Sequence, residues 1–140
     1  MNKISLKIIT PLSVSFEGVA EEVVLTSTSG VITILPGHIP LISTIKAGEL
    51  VIKKDGVSTP FAVFKGVVHV KEVLAGTTEI VVLVDRSEKA EEIDLSRAQE
   101  SYARAKTAME EEREDDIDFA RFEGLIEKEL NRIRVSKKYR

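Results

Sequence analysis

Two hydrophobic rhythms divide the chain. Over residues 1–85, apolar positions alternate with polar ones or crowd into short β-branched runs; beyond that they recur every three or four residues. Ile4, Leu6 and Ile8 alternate with Ser5 and Lys7, which predicts a strand with one wet face. Phe16-Glu17-Gly18 is expected to turn into a second strand over 19–27, opened by the exposed pair Glu21-Glu22. Val31, Ile32, Ile34 and Leu35 form a β-branched run that stops at Pro36-Gly37, since proline lacks a ladder N–H and glycine accepts the φ of a tight turn. His38 lies in that corner, and Pro40 keeps the residue before it extended. Ile45-Lys46-Ala47-Gly48 leads into a strand over 49–53, and Lys54-Asp55-Gly56 is a hairpin signal. Strands over 61–65 and 67–71 flank Gly66. Residues 80–84 are apolar at odd and even positions alike, so both faces are expected to be covered. Nine to ten short strands at such spacing predict a β sandwich.

The second rhythm predicts two helices. Ser87 is the expected N-cap of the first, whose narrow stripe is Ala90, Ile93, Ala98, Tyr102, Ala105 and Met109. The acidic run over 110–116 interrupts the period and predicts a bend, after which Asp116 or Asp118 is placed to cap the second helix. Phe119, Phe122, Ile126, Leu130 and Ile133 continue at helical spacing, with basic residues at the far end. The predicted architecture is therefore β plus α: a sandwich over 1–85 and an antiparallel two-helix hairpin over 86–140.

Composition sharpens that boundary. Of 30 Val and Ile residues, 25 precede residue 86, as do all 4 prolines, whereas every arginine stands at 86 or later. Turn formers with β-branched residues favour sheet, and charge-rich, glycine-poor sequence favours helix. The net charge of -3 lacks the basic excess that general nucleic-acid binding requires. Without cysteine, neither a disulfide framework nor a thiolate metal site is available. The alternating start of the chain is unlike a signal peptide, and no run approaches the roughly 20 apolar residues of a membrane span. A cytosol-like compartment is expected, with membrane association through partners alone.

Catalytic chemistry is hard to place. His69 alternates with Val68 and Val70 and is expected at a surface or edge; the ring of His38 is expected to bond nearby backbone. No glycine-rich phosphate loop and no metal-binding His-Glu-x-x-His is present, so neither a catalytic nor a metal site is assigned. One constellation remains. Asp94 and Arg97 are three apart and Arg104 is seven beyond, placing a carboxylate beside two guanidinium groups along one helical face. Such a set suits a nucleotide, with arginines on phosphates; equally, an Asp/Arg spacing of three is an ordinary surface pair.

Four segments carry a specific resemblance: Gly30-Val31-Ile32-Thr33-Ile34-Leu35-Pro36-Gly37-His38-Ile39-Pro40-Leu41-Ile42, Ile93-Asp94-x-x-Arg97-Ala98, Asp116-Ile117-Asp118-Phe119-Ala120, and Asn131-Arg132-Ile133-Arg134-Val135. In order and spacing they resemble the epsilon-subunit family of F-type ATP synthases, over nearly the whole chain. The resemblance implies a noncatalytic subunit of the central rotor, on the cytoplasmic face of a bacterial plasma membrane. Its sandwich grips the gamma subunit and rests on the ring of c subunits. Ser27, Thr28, Ser29, Gly30, Val31 and Ile32 match the loop that meets the c ring, and Pro36, Gly37 and His38 a gamma contact or structural turn. Val31 stands where some relatives carry an acidic residue, and Lys65-Gly66 replaces a common Gly-Gly.

The same resemblance makes the helical tail regulatory. Folded, it leaves the motor running; extended into the alpha/beta catalytic hexamer, it blocks ATP hydrolysis, with Arg132, Arg134, Lys137 and Lys138 facing acidic loops. Glu88, Ile93, Asp94, Arg97, Ala98, Arg104, Lys128 and Arg132 match positions of the family's regulatory ATP site, Lys128 standing where an ATP-binding relative has arginine. ATP is thus a regulatory ligand, and no cofactor is required. The competing readings are a generic β-sandwich adaptor with a coiled-coil tail and, less well supported by the residues, a stand-alone nucleotide hydrolase.

Overall fold

The computed structural model describes residues 3–71, 76–111 and 116–139, and of residues 116–119 the backbone only. It falls into two compact units, Met1–Lys89 and Ala90–Arg140. The first contains β1 (Lys3–Ile9), β2 (Val14–Ala20), β3 (Glu22–Ser27), β4 (Gly30–Ile34), β5 (Leu41–Lys54), β6 (Val57–Val70) and β7 (Thr77–Lys89). Their order is β2-β1-β7-β6-β5-β3-β4, with β1 parallel to β7 and the other pairs antiparallel.

Among the described residues, seven strands replace the expected nine to ten because β5, β6 and β7 each serve both layers of the sandwich. Pairing of β5 with β6 lapses between Ile45↔Gly66 and Gly48↔Val63, and pairing of β6 with β7 between Gly66↔Val84 and Phe64↔Arg86. These gaps lie side by side and form one corner. Lys65 takes φ 39 there. A Cβ on Gly66 would collide with the Leu83 carbonyl oxygen and crowd Val84 Cα at 2.8 Å. The breaks read as turns at Gly48 and Gly66 are therefore bends within continuous strands. The turn expected at 16–18 is likewise absent: β2 runs through it, and Phe16 meets Phe61 edge-on with ring centroids 6.1 Å apart. Asp55 and Gly56, with φ 51 and 76, close the β5–β6 hairpin as the sequence predicts.

Alternation places Ile4, Leu6, Ile8, Val68 and Val82 from one layer against Leu25, Leu50, Phe61 and Val63 from the other, all buried. Each such side chain contributes roughly 1.5–3 kcal/mol relative to its exposed state. The expectation that both faces of 80–84 are covered does not hold: Ile80, Val82 and Val84 are buried, but Leu83 is 51% exposed. His69 is half-buried on the central strand β6, opposite Ile42 and Val81, and not at an edge.

The unit boundary lies at 89/90, four residues beyond the expected one, because β7 continues its pairing to Phe61↔Lys89. Ser87 is accordingly a strand residue, hydrogen-bonded to Ser15 Oγ at 3.1 Å, and caps no helix. The second unit begins with a short 3-10 helix, Ala90–Glu92, followed by α1 (Leu95–Glu111) and α2 (Asp116–Lys138). The helices pack on each other, and α2 also reaches the 3-10 helix, so they run antiparallel. Ala90, Ile93, Ala98 and Ala105 are buried as expected of their stripe. On α2 the buried positions include Glu129, Asn131, Val135 and Ser136, while Leu130, assigned to the apolar stripe, is exposed. The greater part of the acidic bend, the side chains of Asp116, Asp118 and Phe119, and Arg140 lie outside the described residues.

Candidate functional site

The helical unit holds the cleft with the most chemistry. Ser101, Arg104, Ala105 and Ala108 of α1 face Phe122, Leu125, Lys128 and Glu129 of α2 around a cleft of about 370 Å³. Small residues on α1 keep its wall low, since alanine lets neighbouring side chains approach the backbone. Arg104 Nη2 donates to Ser101 Oγ at 3.4 Å and its side chain remains exposed. Deeper, Glu129 Oε2 accepts from Arg132 Nη1 at 2.9 Å, and Glu129 Oε1 lies 3.5 Å from Lys128 Nζ.

The predicted nucleotide residues are distributed unevenly around it. Arg104 and Lys128 line the cleft. Arg97 is exposed one turn before Ser101 on the same helical row, and half-buried Arg132 lies one turn beyond Lys128. Asp94 plays a different part: it precedes α1, and its Oδ1 accepts the Arg97 main-chain N–H at 3.1 Å as an N-cap. Ile93 and Ala98 are buried packing residues, and Glu88 belongs to β7 of the sheet unit, opposite Ala62. Glu129 was not a sequence-level candidate; a charged residue within an apolar helical period is the signal that marks it. At the end of α2, Arg134, Lys137 and Lys138 are exposed.

The sheet unit presents three surfaces. At the β3–β4 hairpin, Ser27 is buried: its Oγ donates to the Gly30 carbonyl at 2.8 Å and accepts the Ser29 N–H at 3.1 Å. It clamps the turn, leaving Thr28, Ser29, Gly30 and a 70% exposed Val31 as the tip, with Ile32 half-buried. At the second surface, Gly37 has φ 89 and donates its N–H to buried Thr78 Oγ1 at 2.7 Å. His38 Nδ1 donates to the Ile39 carbonyl at 2.7 Å, the backbone bond expected of it. Pro36 is half-buried, and Leu35 and Ile39 project outward.

The third surface was missed in the sequence. Cross-strand pairing aligns Thr44, Val67, Leu83, Ile9 and Val14 in one row on the outer side of the sandwich, with Ile42, His69 and Val81 in the adjoining row. Ile42 is 70% exposed, and Leu83 and Val14 are both about half exposed. A contiguous outward apolar row marks a contact surface more than scattered single residues do. Finding it requires strand register, which a strand-by-strand reading does not contain.

The chain's two units coincide with two family profiles. Residues 3–90 match the ATP synthase delta/epsilon chain beta-sandwich domain, and residues 91–137 match the long alpha-helix domain of the same chain. The ATP synthase epsilon chain of Trichlorobacter lovleyi is 35% identical over 136 residues, covering 97% of this chain and 95% of the relative. That of Macrococcus caseolyticus is 35% identical over 139 residues, with 98% of each chain covered. Among solved structures, a chain of the Euglena gracilis mitochondrial ATP synthase (OSCP, F1 and c-ring) superposes with a TM-score of 0.76 at 16% identity, covering 94% of this chain and 79% of that one. A chain from the Tetrahymena thermophila central stalk and c-ring superposes with a TM-score of 0.57 at 17% identity, a likeness of fold covering 99% and 96%. Among the described residues, no helix is long and apolar enough to cross a membrane. From its first strand through its second helix, the chain belongs to the epsilon-chain family of ATP synthase subunits.

Proposed function

We propose that this chain is a noncatalytic rotor subunit, joining the gamma shaft to the ring of c subunits while ion flow drives ATP synthesis. The observation that carries the docking role is the outward apolar row of Val67, Leu83, Ile9 and Val14 with Ile42 beside it. A rigid two-layer body with such a face suits attachment to an elongated partner. The β3–β4 tip, with Thr28, Ser29 and Val31, supplies the c-ring contact. Membrane association on the cytoplasmic face then comes through those partners.

The helical unit is the regulatory part of the proposal. A folded hairpin leaves hydrolysis unimpeded, and an extended one carries Arg134, Lys137 and Lys138 toward the alpha/beta hexamer. ATP shifts that balance by binding the folded state better, since a ligand moves an equilibrium only through differential affinity. Arg104 and Lys128, facing one cleft from two helices, support this reading because phosphates joining them are lost when the helices part. The test is ATP hydrolysis by an alpha–beta–gamma subcomplex with the full chain or with a chain ended after Lys89. Both forms are expected to bind, and the full chain alone to slow hydrolysis. Equal rates with the two forms would overturn the regulatory role.

A further inference from the structure

The cleft between α1 and α2 contains its own anion. Glu129 is 4% exposed, yet it is charged and stands among cations that the nucleotide reading assigns to phosphates. Both carboxylate oxygens are engaged, Oε2 by Arg132 at 2.9 Å and Oε1 facing Lys128 at 3.5 Å. The exposed Lys7–Glu17 pair offers a contrast, because there both side chains are hydrated and little depends on the contact. In the hairpin all three side chains are mostly withdrawn from water, so each depends on its partners for compensation. Neighbouring helix positions point about 100° apart. The approach of Lys128 to Glu129 therefore means that its stem bends toward the carboxylate, not away into solvent.

We propose that Glu129 is a resident anion that holds Lys128 and Arg132 in the ligand-free hairpin and sets the nucleotide affinity of the cleft by competing with phosphate oxygens. This inference rests on the nucleotide-site reading. A phosphate entering beside Arg104 meets a carboxylate already paired with Lys128 and Arg132, so it faces like-charge repulsion and a lowered net positive charge. The consequence is regulatory. The folded hairpin has part of its positive charge offset without ATP, and its closure depends on nucleotide less than it would with a neutral residue at 129.

The experiment is calorimetric titration of the full-length chain and of Glu129→Gln with ATP and, separately, with inorganic tripolyphosphate. Glu129→Gln is expected to bind both about tenfold or more tightly than the parent. Binding by the parent with no tightening in the variant would overturn the resident-anion inference and leave the nucleotide site standing. No binding of either ligand by either protein would overturn both. Tighter tripolyphosphate with no ATP binding would support the inference and count against the nucleotide reading. Where Glu129→Gln loses helix content, added tripolyphosphate is expected to restore it by replacing the carboxylate. Failure to restore it counts against the inference.

Discussion

Asp94 Oδ1 accepts the main-chain N–H of Arg97 at 3.1 Å, while the Asp94 carbonyl accepts that of Ala98 at 3.0 Å. The family-like Ile93-Asp94-x-x-Arg97-Ala98 segment is thus also the start of α1: a buried Ile93, a capping carboxylate and a buried Ala98. Replacing Asp94 by alanine is expected to destabilise the helical unit by about 1 kcal/mol, and Asp94→Asn, whose Oδ1 accepts the same bond, to retain most of the parent's stability. Thermal melting followed by helix signal distinguishes these outcomes. A neutral effect of Asp94→Ala would mean that the cap does not support the helix.

The corner through β5, β6 and β7 makes opposite predictions for adjacent residues. Lys65 has φ 39, a left-handed conformation that costs a side-chain-bearing residue about 1–2 kcal/mol. Lys65→Gly is expected to raise stability by up to about 1 kcal/mol, since glycine relieves that strain but gains unfolded-state freedom. Gly66→Ala drives a methyl into the Leu83 carbonyl and Val84 and is expected to cost about 3 kcal/mol or more. Denaturant unfolding of both variants, compared with the parent, reads the two signs directly.

Local chemistry made much of this fold readable from the chain. Asp55-Gly56 required a tight turn and formed one, and the alternation of Ile4, Leu6 and Ile8 fixed the inner face of β1. What misled was glycine read as punctuation. Gly66 permits close passage beneath Leu83, and a glycine needed for contact looks in sequence like one needed for a turn. Ser87 misled for a related reason: a hydroxyl serves a helix cap or a strand contact equally well, and the partner that decides it, Ser15, is 72 residues away. The candidate site was legible as a set of cations. Glu129 among them carried only the weak signal of a charge within the apolar period of α2, because its burial depends on where the facing helix lies.

Arg104 lines the cleft yet keeps its guanidinium exposed, so its removal separates binding from folding. Arg104→Ala is expected to leave melting within about 0.5 kcal/mol of the parent, as for most surface substitutions. Loss of its charge-assisted bonds is expected to weaken ATP binding by about 1.5–3 kcal/mol, tenfold or more. Arg97, one turn away, is expected to show a smaller loss. Calorimetry that finds the reverse ranking would move the phosphates toward the start of α1.

Ile42 and Leu83 contribute little to the sandwich core, so aspartate at both positions is expected to leave the β unit's unfolding nearly unchanged. Near-ultraviolet and far-ultraviolet spectra of the double variant check that the two layers remain intact. A collapse of the sheet would mean that these positions are structural and not contact residues.

The most direct measurement is the affinity of the full chain for the isolated gamma subunit, alone and with Ile42→Asp plus Leu83→Asp. A stable complex is predicted for the parent, with the double variant weakened about tenfold or more, as expected when central apolar contacts are removed. A parent chain that forms no complex with gamma, or a folded double variant that binds as tightly as the parent, would contradict the assignment of this face to the rotor shaft.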